Sequence, residues 1–191
     1  KTNVARTYHA FEKYTNNPVL VAEEPWEGLV YLYGTVLPNE TRTGYRMWYH
    51  ILRTNNSICA NWSREVYATS TNGINWVKPS LGLHSECGAT TNNMYSARPG
   101  RSGGGSVMHT PWEADPTKAY KFMGIAADGY WASWSSNGIN VVSAPNNPVL
   151  TGGDSGQICW DPHTQQYRGY VKNTWYDNNG LKRRAVSLAT T

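Results

Sequence analysis

The sequence predicts an all-β protein built from repeated units of four antiparallel strands. Three observations carry that prediction. Apolar residues fall in short alternating or continuous runs rich in Tyr, Val, Trp and Ile and bounded by Gly, Pro and Asn, while helical periodicity is almost absent. Two phrases recur: STNGINW at 70–76 returns as SSNGINV at 135–141, and NNPVL at 16–20 returns at 146–150. The runs also align with one another, and such self-similarity decides the fold before any motif is read.

In chain order, the first unit reads GLVYLYGTVL, TGYRMWYHIL, REVYATST and INWVKP, from Gly28 to Pro79. The second reads GGSVMHTP, KAYKFMGIA, GYWASWSS and INVVSAP, from Gly104 to Pro145. The third reads SGQICWDP, QQYRGYVK and LKRRAVSLATT, from Ser155 to Thr191. Second strands open on Tyr45, Tyr120 and Tyr167, and third strands end in Ser or Thr shortly after Ala68, Ala132 and Ala189. Four antiparallel strands per unit with variable connectors is the pattern of β-propeller blades, here 28–79, 104–145 and an incomplete 155–191 within one domain, 1–191. Asn72-Gly73 and Asn137-Gly138 are expected to make tight two-residue turns between third and fourth strands. The NNPVL segments are expected to be connectors whose Val-Leu pairs are buried beneath the following unit.

Composition narrows the function. The chain has 191 residues, enough for one ordinary domain, and is 39% hydrophobic, which supplies a core. Its net charge of +4 is scattered, with Lys182-Arg183-Arg184 the one basic cluster, so no nucleic-acid partner is expected. No apolar run is long enough for a membrane-spanning helix. The first residues lack the pattern of a signal peptide, so the chain is read as a processed form or as beginning inside a longer one. Nine Trp and thirteen Tyr stand against two Phe. Such flat, half-polar rings suit sugar-binding surfaces as well as packing between sheets. Asn39-Glu40-Thr41, Asn55-Asn56-Ser57 and Asn61-Trp62-Ser63 are glycosylation acceptor sequences, which points to a secreted protein. In that compartment Cys59 and Cys87, both in loop-like sequence, are able to form a disulfide, leaving Cys159 buried in a strand.

NNPVL, EEPWEG, YRMWYH, YATSTNGINW with VKPSLG, DPTKAYKF and CWDPHTQQYRGYVK together resemble the five-bladed propellers of the glycoside hydrolase family 32 and 43 group, most closely secreted members with Ser-Asp-Gly-Ile-x-Trp. The resemblance runs from about Asn17 to Thr191. It implies a carbohydrate-active fold, and five blades of this repeat take roughly 250 to 300 residues. Hydrolytic members carry Arg/Lys-Asp-Pro after the second blade's first strand, with the Asp in the central cavity; this sequence has His109-Thr110-Pro111.

Glycoside hydrolysis usually needs two carboxyl groups, an acid and a base or nucleophile. Glu27, beside Glu24 and Pro25-Trp26 at the opening of the first unit, and Asp154 at the opening of the third are the candidate catalytic pair. The competing reading is that both accept backbone hydrogen bonds where strands begin. Asp161 and Asp115 read as turn residues, and Glu86 and Glu113 as connector residues. Trp26, Trp131 and Trp160 are candidate sugar platforms, and His109, following a strand, is a candidate substrate contact. The five His residues show no zinc-ligand spacing, and no phosphate-binding glycine motif precedes a helix, so neither metal nor cofactor is expected. Two functions remain: a secreted carbohydrate-active protein of the glycoside hydrolase type that acts on or binds a glycan, or a non-catalytic glycosylated extracellular protein. The second follows from Thr110 and the clustered acceptor sites. Further β-strands are expected from continuation of the chain or from another copy, because the third unit lacks a fourth strand.

Overall fold

A computed structural model describes residues 3–52, 63–85, 89–96 and 105–191. The strands are β1 (Leu29–Pro38), β2 (Tyr45–Leu52), β3 (Ser63–Ser70), β4 (Trp76–Val77), β5 (Met94–Ser96), β6 (Ser106–His109), β7 (Tyr120–Ala126), β8 (Gly129–Ser135), β9 (Val142–Ser143), β10 (Gly156–Asp161), β11 (Gln166–Tyr176) and β12 (Lys182–Thr190). One 3-10 turn, Pro116–Lys118, is the sole helical element among the described residues. The protein is all β, as the sequence predicts.

Three antiparallel sheets follow the three sequence units: β1-β2-β3-β4 with β5 also on β3, β6-β7-β8-β9, and β10-β11-β12. None closes into a barrel. Their registers coincide, since Pro38 faces Tyr45, His109 faces Tyr120 and Trp160 faces Tyr167. Three residues further along the second strands, Trp48, Met123 and Tyr170 face Thr35, Ser106 and Gln157.

That register explains how the sheets join. Thr35 Oγ1 accepts from the Val107 N–H at 2.9 Å, and Ser106 Oγ accepts from the Ile158 N–H at 3.1 Å. The Gly105 N–H adds a bond to Tyr33 O at 3.0 Å. Each first strand thus hands a hydroxyl to the backbone of the next, placing β1, β6 and β10 side by side. Gln157, the third residue of the series, is exposed.

Packing follows from alternation along the strands. Met47, Tyr49 and Ile51 pack with Trp26, Val66, Ala68 and Met94 on one face of the first sheet. Trp48 and Tyr67 point the other way, against Tyr95, Val107, Tyr120 and Phe122. Burial on both faces is why β2 reads as a nearly unbroken apolar run. Each such side chain contributes about 1.5–3 kcal/mol when removed from water. β1 departs from regular register between Tyr31 and Thr35, where Gly34 lies on the Trp48 carbonyl too closely for any side chain.

Three local expectations change. The Asn-Gly turns are five-residue loops, because Ser70 pairs with Trp76 across residues 71–75 and only the glycine takes positive φ, +76° at Gly73 and +77° at Gly138. Side-chain oxygens hold them: Ser70 Oγ accepts from Gly73 N at 2.8 Å, and Asn72 Oδ1 accepts from Ile74 N and Asn75 N at 2.9 Å. Ser135 and Asn137 repeat the same bonds to Gly138, Ile139 and Asn140. The fourth strands are also short. β4 covers only one end of the β3 edge and β5 the other, while β9 and a bridge from Leu150 to Tyr130 divide the β8 edge. In NNPVL, finally, only the leucines Leu20 and Leu150 pack on core; Val19 and Val149 face outward, and both Asn-Pro bonds are cis.

Candidate functional site

Where the three first strands meet, a groove of about 590 Å³ opens. Its polar wall comes from Asn39, Glu40 and Arg42 after β1, His109 at the end of β6, and Gln157 and Cys159 on β10. The expectation that Cys159 is buried is corrected: it lies in a strand but is exposed, because that face of β10 borders the open groove.

Behind Glu40 stands a buried hub. Arg46, on the face of β2 turned toward the second sheet, is 7% exposed. Its Nη1 reaches Glu40 Oε1 at 2.5 Å and Tyr120 OH at 2.6 Å, its Nη2 reaches Asn137 O at 2.5 Å, and its Nε reaches Tyr67 OH at 2.7 Å. The guanidinium also lies 4.9 Å from the ring centres of Trp48 and Tyr120 and 5.3 Å from that of Tyr67. A charge buried this way is tolerated because each hydrogen-bonding edge is matched. The Tyr120 hydroxyl donates to Glu40, and the His109 ring stacks on Tyr120 at 4.6 Å and 18°. Burial works to raise the Glu40 pKa, but the Tyr120 hydroxyl, a backbone hydrogen bond and the charges of Arg46 and His109 together hold it below the ordinary value. Burial, with the Glu40 carboxylate beside it, pushes Tyr120 up. The site therefore presents an ionised Glu40 whose charge is largely answered from within.

Beside the groove runs an aromatic rim. Trp112 and Trp160 stand 6.0 Å apart at 38°, and Trp160 packs on Tyr167 at 4.8 Å and 60°. Each tryptophan follows a groove residue in the chain, Pro111 and Cys159. Trp112 remains 54% exposed.

Of the residues predicted from sequence, His109 lines the groove, while Trp160 follows the groove residue Cys159 and packs half-buried between Trp112 and Tyr167. Trp26 does not face a ligand: it is 5% exposed and belongs to the first sheet's core, so its place as a sugar platform is corrected. Trp131 is half-buried on β8 and donates to Asp128 at 2.8 Å, away from the groove-lining residues. Glu27 has no exposed side-chain surface; it accepts from Glu23 N at 2.9 Å and Glu24 N at 3.2 Å and pairs with Lys78 at 2.7 Å. Asp154 accepts from Ser155 N at 2.8 Å and pairs with Lys172. The two acids precede the first strands of different sheets and have different partners, each doing the backbone-clamping work that was the competing reading.

Thr110 is fully buried and binds Ala119 O through its hydroxyl at 3.0 Å, so it makes a turn instead of lining the cavity. Asn39 folds its own turn: Oδ1 accepts from Thr43 N at 2.9 Å and Nδ2 donates to Thr43 Oγ1 at 3.2 Å. Asn55, Asn61, Cys59, Cys87 and Glu86 lie outside the described residues.

Sequence reasoning missed Glu40, Arg42, Arg46, Trp112 and Tyr120 as site residues. One signal was available. A basic residue follows the tyrosine at or next to the start of each second strand, and each pairs with an acid at or just beyond the end of the first strand: Arg46 with Glu40, Lys121 with Glu113, and Arg168 with Asp161. Alignment of the three units on Tyr45, Tyr120 and Tyr167 exposes that pairing.

No family model and no curated protein matches the chain. Among solved structures, it is similar in fold to an N-acetylgalactosamine deacetylase from F. plautii, solved in complex with blood group B trisaccharide, with a TM-score of 0.51 and 14% identity. The match covers 82% of this chain and 48% of that one, so the chain spans about half that structure's length. That neighbour is a carbohydrate deacetylase, and the likeness to it does not show the propeller family that the sequence resembles.

Proposed function

We propose that this chain is the glycan-contacting part of an exported carbohydrate-active protein, built as blades of an incomplete propeller, and that the groove between β1, β6 and β10 is its sugar site. One observation carries the reading: exposed Trp112 and half-buried Trp160, each next in the chain to a groove residue, stand together near a polar wall of Glu40, His109 and Gln157. Sugar rings offer an apolar C–H face that packs on indole and hydroxyls that bond to carboxylates and amides, so a rim and wall of these types suit a saccharide. The likeness to a carbohydrate-processing enzyme supports the same class of ligand.

Binding is favoured over hydrolysis by these residues. Hydrolysis calls for two carboxyls flanking one bond. Among the described groove residues Glu40 is the single acid, and it is tied to Arg46. The reading keeps glycosylation at Asn39, Asn55 and Asn61 and export as its extracellular component. It also keeps further β-structure, from a continued chain or another copy, against the exposed Gln157 and the outer edge of β12.

The test is a titration of the protein's tryptophan fluorescence with a panel of neutral and charged oligosaccharides. A saturable change is expected, weakened about tenfold in Trp160→Ala, the equivalent of ~1.4 kcal/mol for one lost stacking platform. Equal affinity in Trp112→Ala, Trp160→Ala and the parent protein would remove the groove as the sugar site.

A further inference from the structure

We infer that the sugar this groove takes is anionic, a residue bearing a carboxylate or a sulfate, and that Arg42 is the side chain that selects it. The inference rests on the glycan reading above and concerns its substrate class.

Charge accounting in the groove leads there. In the second and third units one base answers one acid at or after the end of the first strand, Lys121 with Glu113 and Arg168 with Asp161. The 3-10 turn after β6 adds a second matched pair, Lys118 with Asp115 at 2.8 Å. The first unit breaks the pattern. Its acid, Glu40, is matched by Arg46 at 2.5 Å and by the Tyr120 hydroxyl, and then Arg42 is added at the groove wall. Arg42 forms no ion pair among the described residues, and the remaining polar lining from Asn39, Thr35, Ser106 and Gln157 is uncharged. His109, on the facing strand, is neutral or cationic and never anionic. The groove therefore holds a surplus of positive charge.

Arg42 is also placed deliberately. Its backbone takes φ +57°, a left-handed conformation that is unfavourable for an arginine. The Asn39 turn holds it there: Arg42 N donates to Asn39 O at 3.0 Å, while Asn39 Oδ1 takes Thr43 N and Gly44 N. A guanidinium offers paired donors that match the two oxygens of a carboxylate or sulfate. An anionic group held by Arg42 leaves the sugar ring free to reach the tryptophan rim.

Isothermal titration with size-matched neutral, glucuronate-bearing and sulfated oligosaccharides, at low and high salt, tests the inference and separates the two sources of the anion. One or both anionic sugars should bind about tenfold tighter than the neutral one, with the advantage shrinking as salt rises. Arg42→Asn keeps the left-handed turn, since asparagine tolerates that region. It should bring the anionic sugar down toward the neutral level, a larger loss than the neutral sugar suffers, whereas Trp160→Ala should weaken both alike. Neutral sugar bound as tightly as either anionic one, or an anionic preference that survives Arg42→Asn, overturns the inference and leaves the glycan reading standing. Absence of binding by any of the three sugars removes both.

Discussion

The junction between the first and second sheets and the junction between the second and third are built from the same register positions, and they are finished differently. At the first, Trp48 and Arg46 project from β2 and are sealed by the second sheet's Asn-Gly loop, with Trp48 Nε1 donating to Gly138 O at 2.6 Å and Arg46 to Asn137 O at 2.5 Å. At the second, the equivalent residues Met123 and Lys121 border a cleft of about 330 Å³ walled by Trp134, Leu150, Tyr167 and Gly169. Met123, Ile125, Tyr130 and Val171 still form a core there, and Tyr130 OH reaches Lys172 O at 3.2 Å. Thr191, whose N–H meets Tyr167 O at 3.2 Å, holds the register position of Ser70 and Ser135, from which the Asn-Gly loops start in the first two sheets. The loop that reads in sequence as punctuation is thus the clasp between sheets, and it also positions Arg46 behind Glu40.

The largest expected effect breaks the sealed junction. Trp48→Ala should cost about 3–5 kcal/mol of unfolding free energy and leave Gly138 O unpaired, whereas Met123→Ala beside the cleft should cost only about 2 kcal/mol. Urea titration of both variants measures the gap, and equal losses would erase the distinction between the junctions.

Acid should loosen the same junction next. One register step beyond Trp48 the first sheet places His50 where the second places Ile125. Burial holds the His50 pKa down at about 4 against an ordinary 6.5. The folded ring refuses a proton that the unfolded chain accepts, so stability is complete above about pH 6.5 and falls as pH drops toward 4. At ~1.4 kcal/mol per pH unit the loss is about 3 kcal/mol. Chemical denaturation across that range should show the slope in the parent protein and a flatter profile in His50→Gln; identical profiles would remove His50 as its source.

Two glycines sharpen the contrast with effects of opposite sign. An alanine at Gly138 would adopt φ +77° with its Cβ 2.8 Å from Trp48 and 2.9 Å from Arg46, so Gly138→Ala should destabilise by about 1–3 kcal/mol. An alanine at Gly169, in the wall of the cleft, would meet Ala189, Met123 and Val171 at 3.8–3.9 Å in ordinary strand conformation. Gly169→Ala should therefore stabilise by about 0.5–1 kcal/mol. Thermal melts of the pair read both signs, and a destabilising Gly169→Ala would mean the cleft is better filled than its walls suggest.

The sheets were legible in the sequence because period-two runs and a repeated Tyr define strands wherever one face must be buried. The site was less so. Glu40 read as the middle residue of a glycosylation sequence and Arg46 as part of an apolar strand, since sequence does not show which loop from the next unit a side chain will meet. Glu27 and Asp154 marked strand openings correctly, but that position is also where a carboxylate clamps backbone N–H groups, and in both cases it does. Trp26 shows the same ambiguity: composition counts aromatic rings without telling a core indole from a rim indole.

The central claim, that the groove between the three first strands and not the cleft between the second and third sheets holds the glycan, is tested most directly by a crystal structure of the protein soaked with the tightest oligosaccharide from the titrations. The account predicts density for a sugar ring on Trp160 or Trp112 with its anionic group at Arg42. A sugar seated in the cleft between Met123 and Gly169, with the groove empty, would contradict it.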